Sequence, residues 1–165
     1  MSSKGFSSGA RLLDEGDVGE LIALRRDLHA HPELGFEEHR TAARVAHWLR
    51  DAGFTEVHQQ IAGTGVVAVL DSGRPGATVG YRADMDALPI EEQSDAPYRS
   101  CHAGRMHACG HDVHTTVGLG IAKHLARTGL GAGRAVFVFQ PNEEGAPGAG
   151  PSGADAMVDA GVLSR

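Results

Sequence analysis

A chain of 165 residues, 41% hydrophobic and 22% charged, can bury one sizeable core, which excludes a disordered protein and sets one domain, or part of one, as the expectation. Its net charge of −6 argues against nucleic acid or an anionic membrane surface as partner and favours a small molecule. Cys101 and Cys109 are the only cysteines, so the disulfide framework of small secreted proteins is excluded and one bridge is the most that could form.

Residues 1–16 are polar and lack the apolar core of a signal peptide, and no later run approaches the ~20 apolar residues of a spanning helix, so the cytoplasm is the expected compartment. Leu21, Leu24 and Leu28 recur at helical spacing and predict a helix that ends before Pro32. A second helix is predicted from about Glu37, with Ala42, Val45, Ala46 and Leu49 on its apolar face and Gly53 as its left-handed stop. The charged residues Arg25, Arg26, Asp27, Glu37, Glu38, His39 and Arg40 read as solvated helix faces. Gly63-Thr64-Gly65 lacks the third glycine and the following helix of a dinucleotide site.

Strands are predicted over 65–70, 77–82 and 135–139, and their unbroken apolar character implies burial on both faces. A turn over 72–76 separates the first two, and a helix with Val117, Ile121 and Leu125 on one face precedes the third. A Gly/Pro/Ala loop from Gly145 to Gly153 and a short helix over 154–160 complete the chain, which is α/β in character.

The chemistry is concentrated in two places. His107-Ala108-Cys109-Gly110-His111-Asp112-Val113-His114 packs a thiol, three imidazoles and a carboxylate together, the side chains that bind a divalent transition metal. Cys109 and His111 flank a glycine, a spacing that lets both point the same way as two ligands of one site. A buried thiol beside a hydrogen-bonded histidine, or a Cys101–Cys109 disulfide, are the competing uses. Glu143 and Glu144 follow a buried strand at its C-terminal end, where open α/β sheets place their sites. Neighbours in extended backbone point to opposite sides, so one carboxylate can bind metal while the other takes a proton from the attacking water. Asp84 and Asp86, two apart, share one face and either orient a ligand histidine or simply form a turn.

Five ordered segments carry a resemblance: 24–35, 63–68, 82–90, 106–111 and 139–145 are similar to the amidohydrolase branch of the co-catalytic metallopeptidases, which includes hippurate hydrolases, N-acyl-amino-acid deacylases and auxin-conjugate hydrolases. The resemblance implies amide hydrolysis of N-acyl amino acids at a two-metal site holding manganese or zinc. It makes Cys109, His111 and Glu144 ligands and Glu143 the general base. It implies a three-layer αβα catalytic domain with a mostly parallel or mixed sheet.

Members of that branch are longer. They continue into a strand with another histidine ligand, a lid domain used for homo-oligomerisation, and a return with a last histidine ligand. Residues 17–165 are therefore expected to be the N-terminal portion of such a domain, without the lid, and inactive alone. Cys109, His111 and Glu144 could hold one metal with an open position, whereas two ions need more ligands. A non-catalytic structural zinc module is the alternative reading of the same cluster.

Overall fold

The computed structural model describes residues 13–145 and 150–164. Helix α1 (Glu15–Ala30) opens with a reciprocal cap: the Asp14 carboxylate accepts from the Asp17 amide at 2.8 Å, and Asp17 accepts from the Asp14 amide at 3.3 Å. Helix α2 (His39–Asp51) buries the predicted face of Ala42, Val45, Ala46 and Leu49 and stops at Gly53, whose φ is 100°.

Four strands follow: β1 (Glu56–Ile61), β2 (Gly65–Asp71), β3 (Thr78–Asp84) and β4 (Arg134–Gln140), in the sheet order β1-β2-β4-β3. β1–β2 and β2–β4 are antiparallel and β3–β4 is parallel, so the sheet is mixed. Alternate residues of β2 and β4 face opposite ways. Val66, Ala68, Phe137 and Phe139 pack under α1, α2 and helix α3 (His111–Thr128); Val67, Val69 and Val136 pack under Met157 of helix α4 (Gly153–Asp159) and Val162 of a closing 3₁₀ turn. Three layers result. The helical layer is tied together by Asp17, which pairs with Lys123 at 2.8 Å and Arg127 at 2.8 Å.

Two expectations need correction, and one strand had not been predicted. β3 is not buried on both faces: among the described residues it pairs only with β4, and Val79 is 65% exposed. Its exposed half is Thr78, Val79 and Gly80, while Tyr81 packs against Phe137. Of the expected apolar face of α3, Ile121 and Leu125 are half-buried against the core but Val117 is exposed, and the fully buried face is Thr115, Gly118, Leu119 and Ala122. That helix lies so near the sheet that a Cβ on Gly118 would sit 3.0 Å from the Tyr81 ring, so small residues occupy the face that large apolar ones were expected to mark. Strand β1 had no apolar run to reveal it, because its Glu-Val-His-Gln-Gln-Ile sequence is half exposed and has an irregular register between His58 and Ile61. Among the described residues no helix is long and apolar enough to cross a membrane. Residues 1–12 and 146–149 of the predicted polar segment and loop lie outside the described residues.

Because β3 and β4 are parallel, with Asp84 opposite Gln140, both deliver their C-terminal ends to one place. The first residue of α3 arrives at the same place.

Candidate metal centre

His111 opens α3 behind Gly110, whose φ of 85° would strain any residue with a Cβ and which turns the chain between Cys109 and His111. The His111 ring is buried. Its Nδ1 donates to the Asp86 carbonyl at 2.9 Å and to the Asp86 carboxylate at 3.0 Å, a pairing that fixes the tautomer and leaves Nε2 as the free nitrogen. Burial opposes charge on this ring, but the bonds and charge of Asp86 outweigh it and the pKa is raised. Asp86 feels the same burial, yet the His111 ring and the Glu144 and Glu143 amides hold it below the usual carboxylate range. One carboxylate thus joins the α3 histidine to the loop after β4, since the Glu144 amide donates to Asp86 at 3.0 Å. Asp86 performs the orienting role; Asp84 does not, being held by Arg82 at 2.6 Å and by the Thr115 hydroxyl on its carbonyl.

Around Nε2 stand Glu143 Oε2 at 3.7 Å and Glu144 Oε1 at 3.8 Å. Ligand atoms of Cys109, His111 and Glu144 lie within 4.8 Å of one another. Tetrahedral ligands at roughly 2.0–2.3 Å from zinc are about 3.5 Å apart, so small rotamer changes close this set on an ion. Its electrostatics fit a cation too. The Glu144 carboxylate, accepting from the thiol, pushes Cys109 up to about 11, with burial and the neighbouring carboxylates Glu143 and Asp86 adding to it. A divalent ion would replace that proton and relieve the crowding of acids.

A second grouping, Asp84, His111 and His114, is equally compact, and the His114 ring stacks on His111 at 5.3 Å. It competes for the single free nitrogen of His111, and closing it would break the Arg82–Asp84 pair. The Cys109 set needs no such loss. Both cysteines are free thiols.

Sequence reasoning missed what supports the site. Arg25 and Glu38 are not simply solvated charges: Arg25, half-buried, reaches the buried Asp112 at 2.9 Å, and Glu38 is entirely buried. His29 bridges Asp112 at 2.7 Å and Glu92 at 3.2 Å, anchoring the first turn of α3 to α1. Glu92 is met in turn by the Ser94 hydroxyl and by the Ser100 amide at 2.6 Å. The only available signal was adjacency to the recognised motifs. His107, buried against this network with no hydrogen-bond partner for either ring nitrogen among the described residues, is pushed down to about 4 by burial and stays neutral.

A family model described as peptidase family M20/M25/M40 matches residues 80–165. The N-acetyldiaminopimelate deacetylase of Geobacillus thermodenitrificans is 42% identical over 146 residues, which are 88% of this chain and 37% of that protein. The hippurate hydrolase of Campylobacter jejuni is 44% identical over 147 residues, 89% of this chain and 37% of that protein. Among solved structures, the Bacillus subtilis YXEP protein, described as a dinuclear metal-binding peptidase from the M20 family, matches with a TM-score of 0.82 at 41% identity, over 91% of this chain and 41% of that one. The chain spans about two fifths of the length of these relatives.

Proposed function

Because the chain belongs to peptidase family M20/M25/M40, we propose that it carries part of the active site of a metal-dependent amidohydrolase that cleaves the amide bond of N-acyl amino acids. Cys109, His111 and Glu144 are the metal ligands in this reading and Glu143 is the general base. The observation that supports it is the placement of Glu143 and Glu144 beside the free His111 Nε2, at 3.7 and 3.8 Å, at the C-terminal ends of two parallel strands. The similarity to a deacetylase and to a hippurate hydrolase favours an acylated amino acid as substrate.

Manganese or zinc, two ions per site on the pattern of the family, would polarise the scissile carbonyl and lower the pKa of the attacking water when bound. Asp86 aims His111 Nε2 and, through the Glu144 amide, fixes the backbone from which Glu144 projects. Glu143, more exposed than Glu144 and steadied by Arg82 at 3.6 Å, takes the proton of the attacking water and delivers it to the departing amine nitrogen. A closed structural zinc would need four ligands; three converge here among the described residues, which favours an open site.

Counting metal per chain, together with hydrolysis of hippurate and N-acetyldiaminopimelate before and after Glu143→Gln, tests the reading. Metal bound with or without Glu143→Gln by a chain that folds without metal supports the ligand set, and any turnover should disappear with that change. One tightly held zinc, metal-dependent folding and no turnover with either residue at position 143 would replace it with the structural module.

A further inference from the structure

Glu38 occupies a position with an ordinary task that it does not perform. It is the N-cap residue of α2, where a side chain usually accepts from the first free amides of the helix, and it makes no such bond. Glu33 does that work instead, accepting from the Arg40 amide at 2.9 Å and the Thr41 amide at 2.7 Å. The Glu38 carboxylate turns inward. Its Oε2 accepts from the Thr64 hydroxyl at 2.5 Å, in the turn between β1 and β2, and its Oε1 accepts from the backbone amide of Asn142 at 2.9 Å. Burial pushes this carboxyl up, against the bonds from Thr64 and Asn142 that favour its charged form. What the carboxylate provides is two acceptors at a fixed span.

Asn142 is the corner from which Glu143 and Glu144 project. Its φ is 44°, the left-handed conformation that asparagine adopts more readily than other residues with a Cβ and that turns the chain sharply here. Its carbonyl accepts from the Gly153 amide at 3.0 Å, and its side chain is pressed so close to Gly35 that a Cβ there would lie 2.0 Å from Oδ1. Glu38 holds the amide of this corner while Asp86 holds the amide two residues on. We propose that Glu38 is a positioning residue of the metal centre, acting through the Asn142 amide to aim Glu143 and Glu144. The inference rests on reading Glu144 as a ligand and Glu143 as the base.

Two substitutions separate position from charge. Glu38→Gln keeps the reach: its oxygen can accept from the Asn142 amide and its NH₂ can donate to the Thr64 hydroxyl. Glu38→Asp keeps the charge but is one methylene short of spanning both donors. Cobalt(II) titration of the full chain reads the centre through thiolate-to-cobalt absorption, with Cys109→Ser as the control that must abolish the band, and amide hydrogen exchange reads Asn142. Glu38→Gln is expected to bind cobalt within about threefold of the unsubstituted chain, and Glu38→Asp at least about tenfold more weakly, with Asn142 exchange about tenfold faster and the same far-UV ellipticity. Equal affinities in the two variants, or a weaker Gln than Asp, overturn the inference. If Glu38→Asp does not fold, Thr64→Val decides, since it frees one end of the carboxylate: weaker cobalt and faster Asn142 exchange support the inference, and no change in either overturns it. A thiolate band missing from the unsubstituted chain overturns the metal reading itself and this inference with it.

Discussion

Helices α2 and α3 cover the same face of the sheet with different materials. α2 lies over β1 and β2 and meets them with Ala42, Val45, Ala46 and Leu49, a continuous apolar stripe. α3 lies over β3 and β4 and meets them with Thr115, Gly118, Leu119 and Ala122, leaving Val113 and Val117 outside. Small residues let a helix close on its neighbour, whereas bulky ones hold it off. α2 is therefore a cover for the core. α3 is a mount: drawn close, it delivers His111 onto the carbonyl and carboxylate of Asp86 and anchors itself through Thr115 on the Asp84 carbonyl at 2.9 Å.

If that division is right, damage to the cover and damage to the mount have different readouts. Leu49→Ala, in the fully buried stripe of α2, is expected to cost about 2–5 kcal/mol of stability in urea unfolding. Cobalt affinity of the folded chain should not move. A loss of affinity beside the loss of stability would make α2 part of the mount as well. The mount end, unlike the cover, titrates. With Cys109 pushed up to about 11, metal binding must release its proton, so affinity rises with pH, by roughly a hundredfold from about pH 6 to about pH 8 from this proton alone. His111, raised as well, has to lose its own proton at the acid end and steepens the slope there. A pH-independent affinity would remove Cys109 from the ligand set.

Asp86→Asn leaves one oxygen to accept where two were used, and points an NH₂ at either the His111 Nδ1 hydrogen or the Glu144 amide. We expect about 10–100-fold weaker metal binding, measured by competition with a chelator, with the core of α2 undisturbed. Gly118→Val tests the close approach directly. A Cβ at that position meets Tyr81 at 3.0 Å and Phe139 at 3.3 Å, so the added bulk should lever α3 off the sheet, costing about 1–3 kcal/mol and weakening metal binding together. Stability lost with affinity intact would show that His111 is placed by its own loop and not by the helix.

The same contrast explains what could be read from the sequence. α2, β2 and β4 bury apolar residues at regular spacing, and that pattern survives in one dimension. That Cys109, His111, Glu143 and Glu144 come together in space was anticipated from the sequence, because those residue types crowd two short motifs. α3 was half legible: its length showed, but Leu119 is the one large apolar residue fully buried on its inward face, beside Thr115, Gly118 and Ala122. β1 is a half-exposed edge with two apolar residues, Val57 and Ile61. Glu38 was hidden by its neighbours, since a Glu-Glu pair at a helix start reads as solvated charge, and only a partner 104 residues away shows otherwise.

The smallest effect is the sharpest check on which side of α3 faces in. Val117 belongs to the predicted apolar face, yet it is 48% exposed and lines an open groove with Ile22 and Val113 between α1 and α3. Val117→Thr exchanges a methyl for a hydroxyl at a position already in water, so stability should change by less than about 0.5 kcal/mol. Ala122→Thr makes a comparable polar change on the opposite side, where the residue is fully buried, and should cost about 1–3 kcal/mol by overpacking. The pair fixes the orientation of the helix independently of any metal. A Val117→Thr loss as large as that of Ala122→Thr would mean that the groove is covered in solution. A second copy is the simplest cover, and gel filtration at two protein concentrations would detect it.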